Sequence, residues 1–170
     1  MLRYVKNFTL ISFLLILSCS GQEQQKIPEK PPLNNISKNH TEHLKNLSIE
    51  GYEKIKNENK GKVIIANFYA SWCPPCREEI PGFVRSYVKF RNNLLIMGLS
   101  LDVKNETAIN FINEMGINYP VYKADETLQR RFNIMTIPTS VIYKADGTLY
   151  NVHFGYLGEN EIEKLISMLK

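Results

Sequence analysis

The chain of 170 residues has few of the residues that build metal sites or disulfide-stabilised folds. It contains three cysteines and three histidines, and the pair Cys73 and Cys76 has no second Cys-x-x-Cys to accompany it. A structural zinc site needs four such ligands at characteristic spacings. A small secreted disulfide fold needs more cysteines, in even number. The composition therefore argues against both classes, and no metal site is predicted.

The sequence also lacks a large excess of charge. The formal net charge is +4, from 21 basic and 17 acidic residues, and Arg3 and Lys6 lie in the leader described below. Without these two the balance is 19 against 17, or +2. A nucleic-acid-binding domain carries a basic patch, so no nucleic-acid partner is predicted. The hydrophobic content of 44% is ordinary for a globular protein, which can build its core without disulfide bonds.

The first residues have the pattern of an export signal. Arg3 and Lys6 precede an apolar run over residues 10–17, which has the length of a signal peptide and is short for a membrane span. Ser18 and Cys19 follow, and a small residue before a cysteine at this place resembles the lipobox of bacterial lipoproteins. That resemblance implies cleavage before Cys19, which would carry the lipid. The alternative is an ordinary signal peptide or an uncleaved anchor in which Cys19 is incidental.

The predicted domain organisation follows from this leader. Residues 1–18 are the signal peptide. Residues 19–45 are rich in Gln, Asn and Pro and poor in apolar side chains, which predicts a flexible tether behind the lipidated cysteine. The folded domain is predicted at residues 46–170. The predicted location is therefore extracytoplasmic, on the periplasmic side of a bacterial membrane, with the chain anchored in the lipid bilayer through Cys19.

The folded part alternates strands with helices. Continuous apolar runs are typical of central parallel strands, and an Asp-Gly turn between two later strands predicts a hairpin. The order β-α-β-α-β-α-β-β-α predicts an α/β fold, a mixed central sheet with helices on both faces. Strands are predicted at residues 63–70, 94–101, 119–122, 140–143 and 149–154, with a short edge strand at 47–49. Helices are predicted at residues 52–59, 77–90, 126–132 and 161–169, with another that is capped by Asn105 or Thr107 and ends at Gly116.

The stretch Trp-Cys-Pro-Pro-Cys at residues 72–76 lies where a predicted strand meets a predicted helix. A Cys-x-x-Cys pair at such a junction is a redox site or half of a metal site, and the missing second ligand pair favours the redox site. The helix N-terminus offers unpaired N–H groups and partial positive charge, which stabilise a thiolate at Cys73. Cys76 lies one turn later on the same face. We therefore predict Cys73 as the nucleophile and Cys76 as the resolving thiol.

With the Ile-Pro-Thr stretch at residues 137–139, this motif resembles the thioredoxin superfamily over about residues 46–170. An extra helix and strand at about 105–123, together with the leader, is similar to the TlpA/ResA branch of extracytoplasmic thiol-disulfide oxidoreductases. The resemblance implies a thioredoxin-like three-layer fold and a redox disulfide between Cys73 and Cys76, without a cofactor. It also implies protein disulfides as substrates, with apocytochrome c as one candidate, and a membrane electron donor for re-reduction.

The resemblance adds residues to the predicted site. It implies a cis peptide bond before Pro138 and pairing of the Ile137 backbone with an extended substrate. Trp72 would cover the thiols and shape the substrate surface, and ordinary core packing is the alternative for this residue. Phe132 and Met135, like Tyr69, are predicted to lie in the core and not in the site.

A carboxylate near the thiols is also implied. Glu79 lies three residues after Cys76, on the same helix face. If it is partly buried, its pKa is raised and it can exchange a proton with Cys76. The alternative is a solvated helix glutamate. Asn67 occupies the strand position at which classical thioredoxin has an aspartate, and an asparagine cannot titrate.

The two prolines predict the direction of electron transfer. Pro74 and Pro75 have no N–H to donate to the Cys73 sulfur, and the dipeptide has no histidine. A less stabilised thiolate favours the disulfide form, which makes the enzyme a reductant. The alternatives are an oxidant or isomerase of secreted proteins, a thiol peroxidase, and a non-enzymatic binding lipoprotein on a thioredoxin scaffold. The peroxidase is disfavoured because Ala70 stands where the peroxiredoxin pattern Pro-x-x-x-Thr-x-x-Cys has threonine.

Overall fold

The computed structural model of the protein describes residues 44–170. The predicted signal peptide, the lipidation of Cys19 and almost all of the tether fall outside these residues. No helix in the described part has the length and apolar character needed to cross a bilayer. The strands are β1 (Asn46–Leu47), β2 (Val63–Tyr69), β3 (Leu94–Ser100), β4 (Val121–Ala124), β5 (Thr139–Tyr143) and β6 (Leu149–Phe154). The helices are α1 (Ile49–Glu58), α2 (Pro74–Phe90), α3 (Asn105–Met115), α4 (Glu126–Arg131) and α5 (Glu159–Leu169).

The strands form one mixed sheet in the order β1-β4-β3-β2-β5-β6. The central strand β2 is parallel to β3 and antiparallel to β5, and all seven of its residues are buried. β5 and β6 form the hairpin predicted at Asp146 and Gly147. Because β2 and β3 are parallel, their carboxyl ends lie at the same edge of the sheet. The turn with the two cysteines leaves from that edge.

Alternate residues of β2 point to opposite faces of the sheet. Val63 and Ile65 pack in one core cluster with α2, α3 and α5. Ile64 and Phe68 pack in a second cluster with α1 and α4. Asn67 has the same parity as Val63 and Ile65, so its side chain points to the face covered by α2. This parity brings a polar residue of the central strand against the helix that begins at the cysteines.

Four of the five helices begin earlier than predicted, among them α1 at Ile49 and α5 at Glu159. α2 already begins at Pro74, because proline is well suited to the first turn of a helix, where its missing N–H costs no hydrogen bond. α3 begins at Asn105, and its N-cap is Lys104, whose side chain makes no capping hydrogen bond. The prediction that Asn105 or Thr107 caps this helix is therefore wrong. Gly116 ends α3 as predicted, with a φ of 61° that suits glycine.

Two apolar residues also lie elsewhere than predicted. β4 starts at Val121 and not at Tyr119, because Pro120 between them has no N–H to donate to the sheet. Met135 is 82% exposed and is not part of the core. It lies in the loop between α4 and β5, where Ile134 and Ile137 face the core and leave Met135 to point away.

Gly98 in β3 is a close-packed position that allows a test of the fold. A Cβ atom at Gly98 would lie 3.1 Å from Tyr69 Cε1 and from Val121 Cγ2. Both side chains are buried, so they cannot move aside freely. We expect Gly98→Ala to lower the free energy of unfolding, measured by chemical denaturation, by about 1–3 kcal/mol. Gly82→Ala is the control, since its Cβ would make only ordinary contacts with Glu159. Equal losses in the two variants would contradict the packing described here.

Candidate active site

The two cysteines lie at the N-terminus of α2, directly after β2. Cys73 is the N-cap residue of α2 and Cys76 lies in its first turn. They form a disulfide bond with a Cα–Cα distance of 5.3 Å. Cys73 is 3% exposed and Cys76 is fully buried. The side chain of Cys73 accepts no capping hydrogen bond from the helix. The structure thus brings the predicted pair together in its oxidised form.

The loop before β5 faces this disulfide. The peptide bond between Ile137 and Pro138 is cis, so that prediction is confirmed. The carbonyl oxygen of Ile137 lies 3.8 Å from the Sγ atom of Cys73. The carbonyl oxygen of Pro138 accepts a hydrogen bond from the Gly155 N–H at 2.8 Å. The backbone predicted to pair with substrate is therefore next to the predicted nucleophile.

Exposed apolar side chains flank the disulfide and the proline loop. Trp72 is 70% exposed, so the alternative of core packing is wrong for this residue. Met135 is exposed two residues before Ile137. Phe154 pairs with the first residue of β5 and is 59% exposed, and Tyr156 follows it at 51%. The surroundings of the disulfide therefore include apolar side chains that are accessible to solvent.

Glu79 is a buried carboxylate in α2, three residues after Cys76. It is 1% exposed, which rules out the solvated alternative. Its Oε1 accepts a hydrogen bond from Asn67 Nδ2 at 2.8 Å, and its Oε2 accepts one from the Leu157 N–H at 3.0 Å. Burial raises the pKa of Glu79 from 4.5 to about 7, although both hydrogen bonds oppose the shift. The predicted burial and raised pKa are both present.

The sequence pattern does not single out a second buried carboxylate, Asp102. It is 2% exposed and follows β3. It accepts hydrogen bonds from the Ser71 N–H at 3.1 Å, from Ser71 Oγ at 2.7 Å and from Ser100 Oγ at 2.9 Å. It thereby fixes the chain two residues before Cys73. One feature of the sequence could have identified Asp102: it directly follows a predicted strand that is parallel to β2. Residues that contact ligands are often found where parallel strands end.

The cation nearest to the cysteines in the sequence is Arg77, and its charge is directed to α3. Its guanidinium forms an ion pair with Glu114 and lies 5.0 Å from the centre of the Phe111 ring. Nη1 of the same side chain also donates to the carbonyl oxygen of Ser71 at 3.4 Å. The positive charge beside the disulfide is therefore already paired with a carboxylate.

The part of the chain that carries the cysteine pair, the cis-proline loop and the buried glutamate matches a known family. The sequence pattern described as the AhpC/TSA family matches residues 39–152, which is more than half of the chain. The chain belongs to the AhpC/TSA family. The family match includes the strand, the turn and the helix that carry the cysteines.

Similar proteins carry names that agree on the chemistry. Sporulation thiol-disulfide oxidoreductase A of Bacillus subtilis (strain 168) is 30% identical over 122 residues, 69% of this chain and 73% of that protein. Thiol-disulfide oxidoreductase ResA of the same organism is 26% identical over 113 residues, 65% of this chain and 63% of that protein. A crystal structure of a thioredoxin-family thiol:disulfide interchange protein from Chlorobium tepidum TLS has a TM-score of 0.63 and 32% identity, and covers 67% of this chain and 83% of that one. The predicted thioredoxin-like fold and the enzyme class, thiol-disulfide oxidoreductase, are confirmed.

The buried glutamate of this AhpC/TSA family member predicts how stability depends on pH. Between pH 4.5 and about 7 the unfolded chain has lost the Glu79 proton, whereas the folded chain still holds it. Stability therefore falls as the pH rises through this window and becomes level above it. We expect Glu79 to account for a loss of about 3 kcal/mol, from a pKa difference of about 2.5 units.

The measurement is the free energy of unfolding of the oxidised protein at several pH values. Glu79→Gln should remove this part of the pH dependence and leave the variant more stable than the wild type above pH 7. If both proteins lose the same stability across the window, the raised pKa of Glu79 is wrong.

Proposed function

We propose that this protein is a membrane-tethered thiol-disulfide reductase that gives electrons to the disulfides of exported proteins through Cys73 and Cys76. The observation that carries the proposal is the disulfide at the N-terminus of α2 with the Ile137 carbonyl 3.8 Å from Cys73 Sγ. The tether is the segment behind Cys19, whose context resembles a lipobox. Cys19 would hold the domain at the membrane, on the extracytoplasmic side.

The first step is attack by the Cys73 thiolate on a substrate disulfide. A bond forms between Cys73 Sγ and one substrate sulfur, and the other substrate sulfur leaves as a thiolate. The N-terminus of α2 supports the attacking charge through the partial positive charge of the helix dipole, although Pro74 and Pro75 contribute no N–H. No cofactor is needed, since the two thiols carry both electrons.

The second step releases the substrate. The thiol of Cys76 gives its proton to the Glu79 carboxylate, and the resulting Cys76 thiolate attacks Cys73 Sγ. The disulfide between Cys73 and Cys76 forms, and the bond from Cys73 to the substrate breaks. The second substrate sulfur leaves as a thiolate, which takes up the proton that Glu79 gives back. The substrate has gained two electrons, and the enzyme is left in the oxidised form that the structure describes.

The surface around the disulfide favours an extended polypeptide as substrate. The Ile137 backbone offers a strand-like contact next to Cys73. The exposed side chains of Trp72, Met135 and Phe154 supply apolar contacts beside it. Unfolded or newly exported chains present both features, and apocytochrome c is a candidate from the resemblance to the TlpA/ResA branch.

The surroundings of Cys73 favour electron donation. Pro74 and Pro75 have no N–H groups, the Cys73 side chain has no capping hydrogen bond, and the charge of Arg77 is paired with Glu114. Each of these withholds stabilisation from the thiolate, which favours the disulfide form of the enzyme. A dithiol of this kind needs a membrane electron donor to reduce it again outside the cytosol.

Substrate reduction can be tested with insulin and with a trapping variant. We expect the wild type to reduce insulin and Cys73→Ala to be inactive. Cys76→Ser should hold a mixed disulfide at Cys73, because no thiol remains to resolve it, and its cellular partners can then be identified after non-reducing electrophoresis. If the wild type does not reduce insulin and Cys76→Ser traps no partner, the proposal is wrong. Faster turnover of a hydroperoxide than of insulin would favour the peroxidase alternative.

The direction of transfer can be tested by the reduction potential, measured by equilibration with glutathione or dithiothreitol. We expect a value below about −200 mV, whereas strongly oxidising dithiols lie near about −120 mV. Pro75→His should raise the potential, because a histidine can add positive charge beside the Cys73 thiolate. A wild-type value near that of the strong oxidants would contradict the assignment as a reductant.

A further inference from the structure

Asn67 is a fully buried amide in the central strand, beside the glutamate of the proposed site. Its Nδ2 donates to Glu79 Oε1 at 2.8 Å and to Ser140 Oγ at 3.1 Å. Its Oδ1 is equally buried and has no hydrogen-bond partner within residues 44–170. A buried amide oxygen without a partner is costly, so the position of Asn67 calls for a reason.

The two protonation states of Glu79 require different partners from this amide. In the orientation of the structure both carboxylate oxygens face N–H donors, one from Asn67 and one from Leu157. This arrangement suits the ionised carboxylate, which can only accept. The neutral acid has an O–H to donate and needs an acceptor. A half-turn of the Asn67 side-chain amide exchanges Nδ2 and Oδ1, and would place an acceptor next to Oε1.

We propose that Asn67 is the positioning residue that sets the proton affinity of Glu79, with an amide that donates to the ionised carboxylate and turns over to accept from the neutral acid. The inference rests on the proposed proton transfer between Cys76 and Glu79. No proton leaves the amide in either orientation. The proton moves from the Cys76 sulfur to Glu79 and from there to the departing substrate thiolate.

The other groups near Glu79 do not take over this role. Burial raises the pKa of Tyr119 well above its usual value, and the charges of Tyr69 and Glu79 raise it further, so Tyr119 stays neutral. At the start of α5, Glu159 is paired with Arg85, and Glu161 accepts from the Gly158 N–H. Among the described residues, His153 lies opposite Ser140 in the pairing of β5 with β6, its Nε2 is 3.0 Å from the Tyr156 carbonyl oxygen, and no hydrogen bond joins it to Glu79.

The test is the pH profile of thiol exchange by the full chain, with Glu79→Gln as the reference. Asn67→Leu removes the donor to the ionised carboxylate, so the inflection due to Glu79 should move up by about one pH unit. Asn67→Asp keeps the shape of the side chain and places a second carboxyl beside Glu79, which should also move the inflection up. Ser140→Ala, which touches Asn67 but not Glu79, is the matched control and should leave it in place.

The outcomes separate this inference from the proposed function. If Glu79→Gln abolishes the inflection but both Asn67 variants leave it unmoved, Asn67 has no positioning role and the proton role of Glu79 stands. If Glu79→Gln leaves the profile unchanged, the proton role itself fails. Adding Asn67→Leu to Glu79→Gln should leave the pH profile of the Glu79→Gln variant unchanged. A changed profile would show that Asn67 does not act through Glu79.

The turn of the amide has its own readout in nuclear magnetic resonance of the oxidised full chain. Above the midpoint of the Glu79 titration, the Asn67 amide protons should show nuclear Overhauser contacts to the Ser140 side chain. Below the midpoint these contacts should be lost, because Nδ2 has turned away. Contacts that persist through the whole titration would overturn the proposed turn.

Discussion

The buried carboxylate of Glu79 joins three parts of the chain that are far apart in the sequence. It belongs to α2, it is held by Asn67 of the central strand, and it accepts from the Leu157 backbone in the loop before α5. The helix that carries the cysteines is thus fixed to the sheet on one side and to the last helix on the other. The proposed chemistry depends on this, because an attacking thiolate, its resolving partner and a proton acceptor must hold their distances while a protein substrate is attached.

Burial of this carboxylate lowers the stability of the fold at neutral pH. The same burial raises its pKa, which suits it to exchange a proton in the proposed reaction. A solvated glutamate would be ionised throughout the physiological range and would return a proton poorly. With its pKa raised to about 7, Glu79 is poised between its two charge states. Buried ionisable side chains are unfavourable for stability but are expected at functional sites, where packing of the surrounding core offsets their cost. Here the compensation comes from the aliphatic and aromatic residues packed along α2.

The fold was predictable where the signal is local. The apolar runs of β2 and β3, the Asp146-Gly147 turn and the spacing of Cys73 and Cys76 all lie within a few neighbouring residues. The bond from Leu157 to Glu79 spans 78 positions, and it depends on how the last loop crosses α2, which no local pattern contains. The exposure of Met135 could not be predicted from the local sequence either, because an apolar residue in a loop can face the core or the solvent. Contacts between residues distant in the sequence determine both of these features.

The electrostatics around the disulfide support the direction proposed from the prolines. In the described part of the chain, Asp102 holds the residue two before Cys73 and Glu79 lies three after Cys76, and both are buried. Negative charge near a thiolate disfavours it, and in a buried site water screens that repulsion less than at the surface. In the proposed reductant, these two carboxylates would disfavour the Cys73 thiolate in addition to the missing N–H donors. Asp102 also fixes the backbone at Ser71, so under this proposal the carboxylate that positions the turn would also favour electron donation by the enzyme.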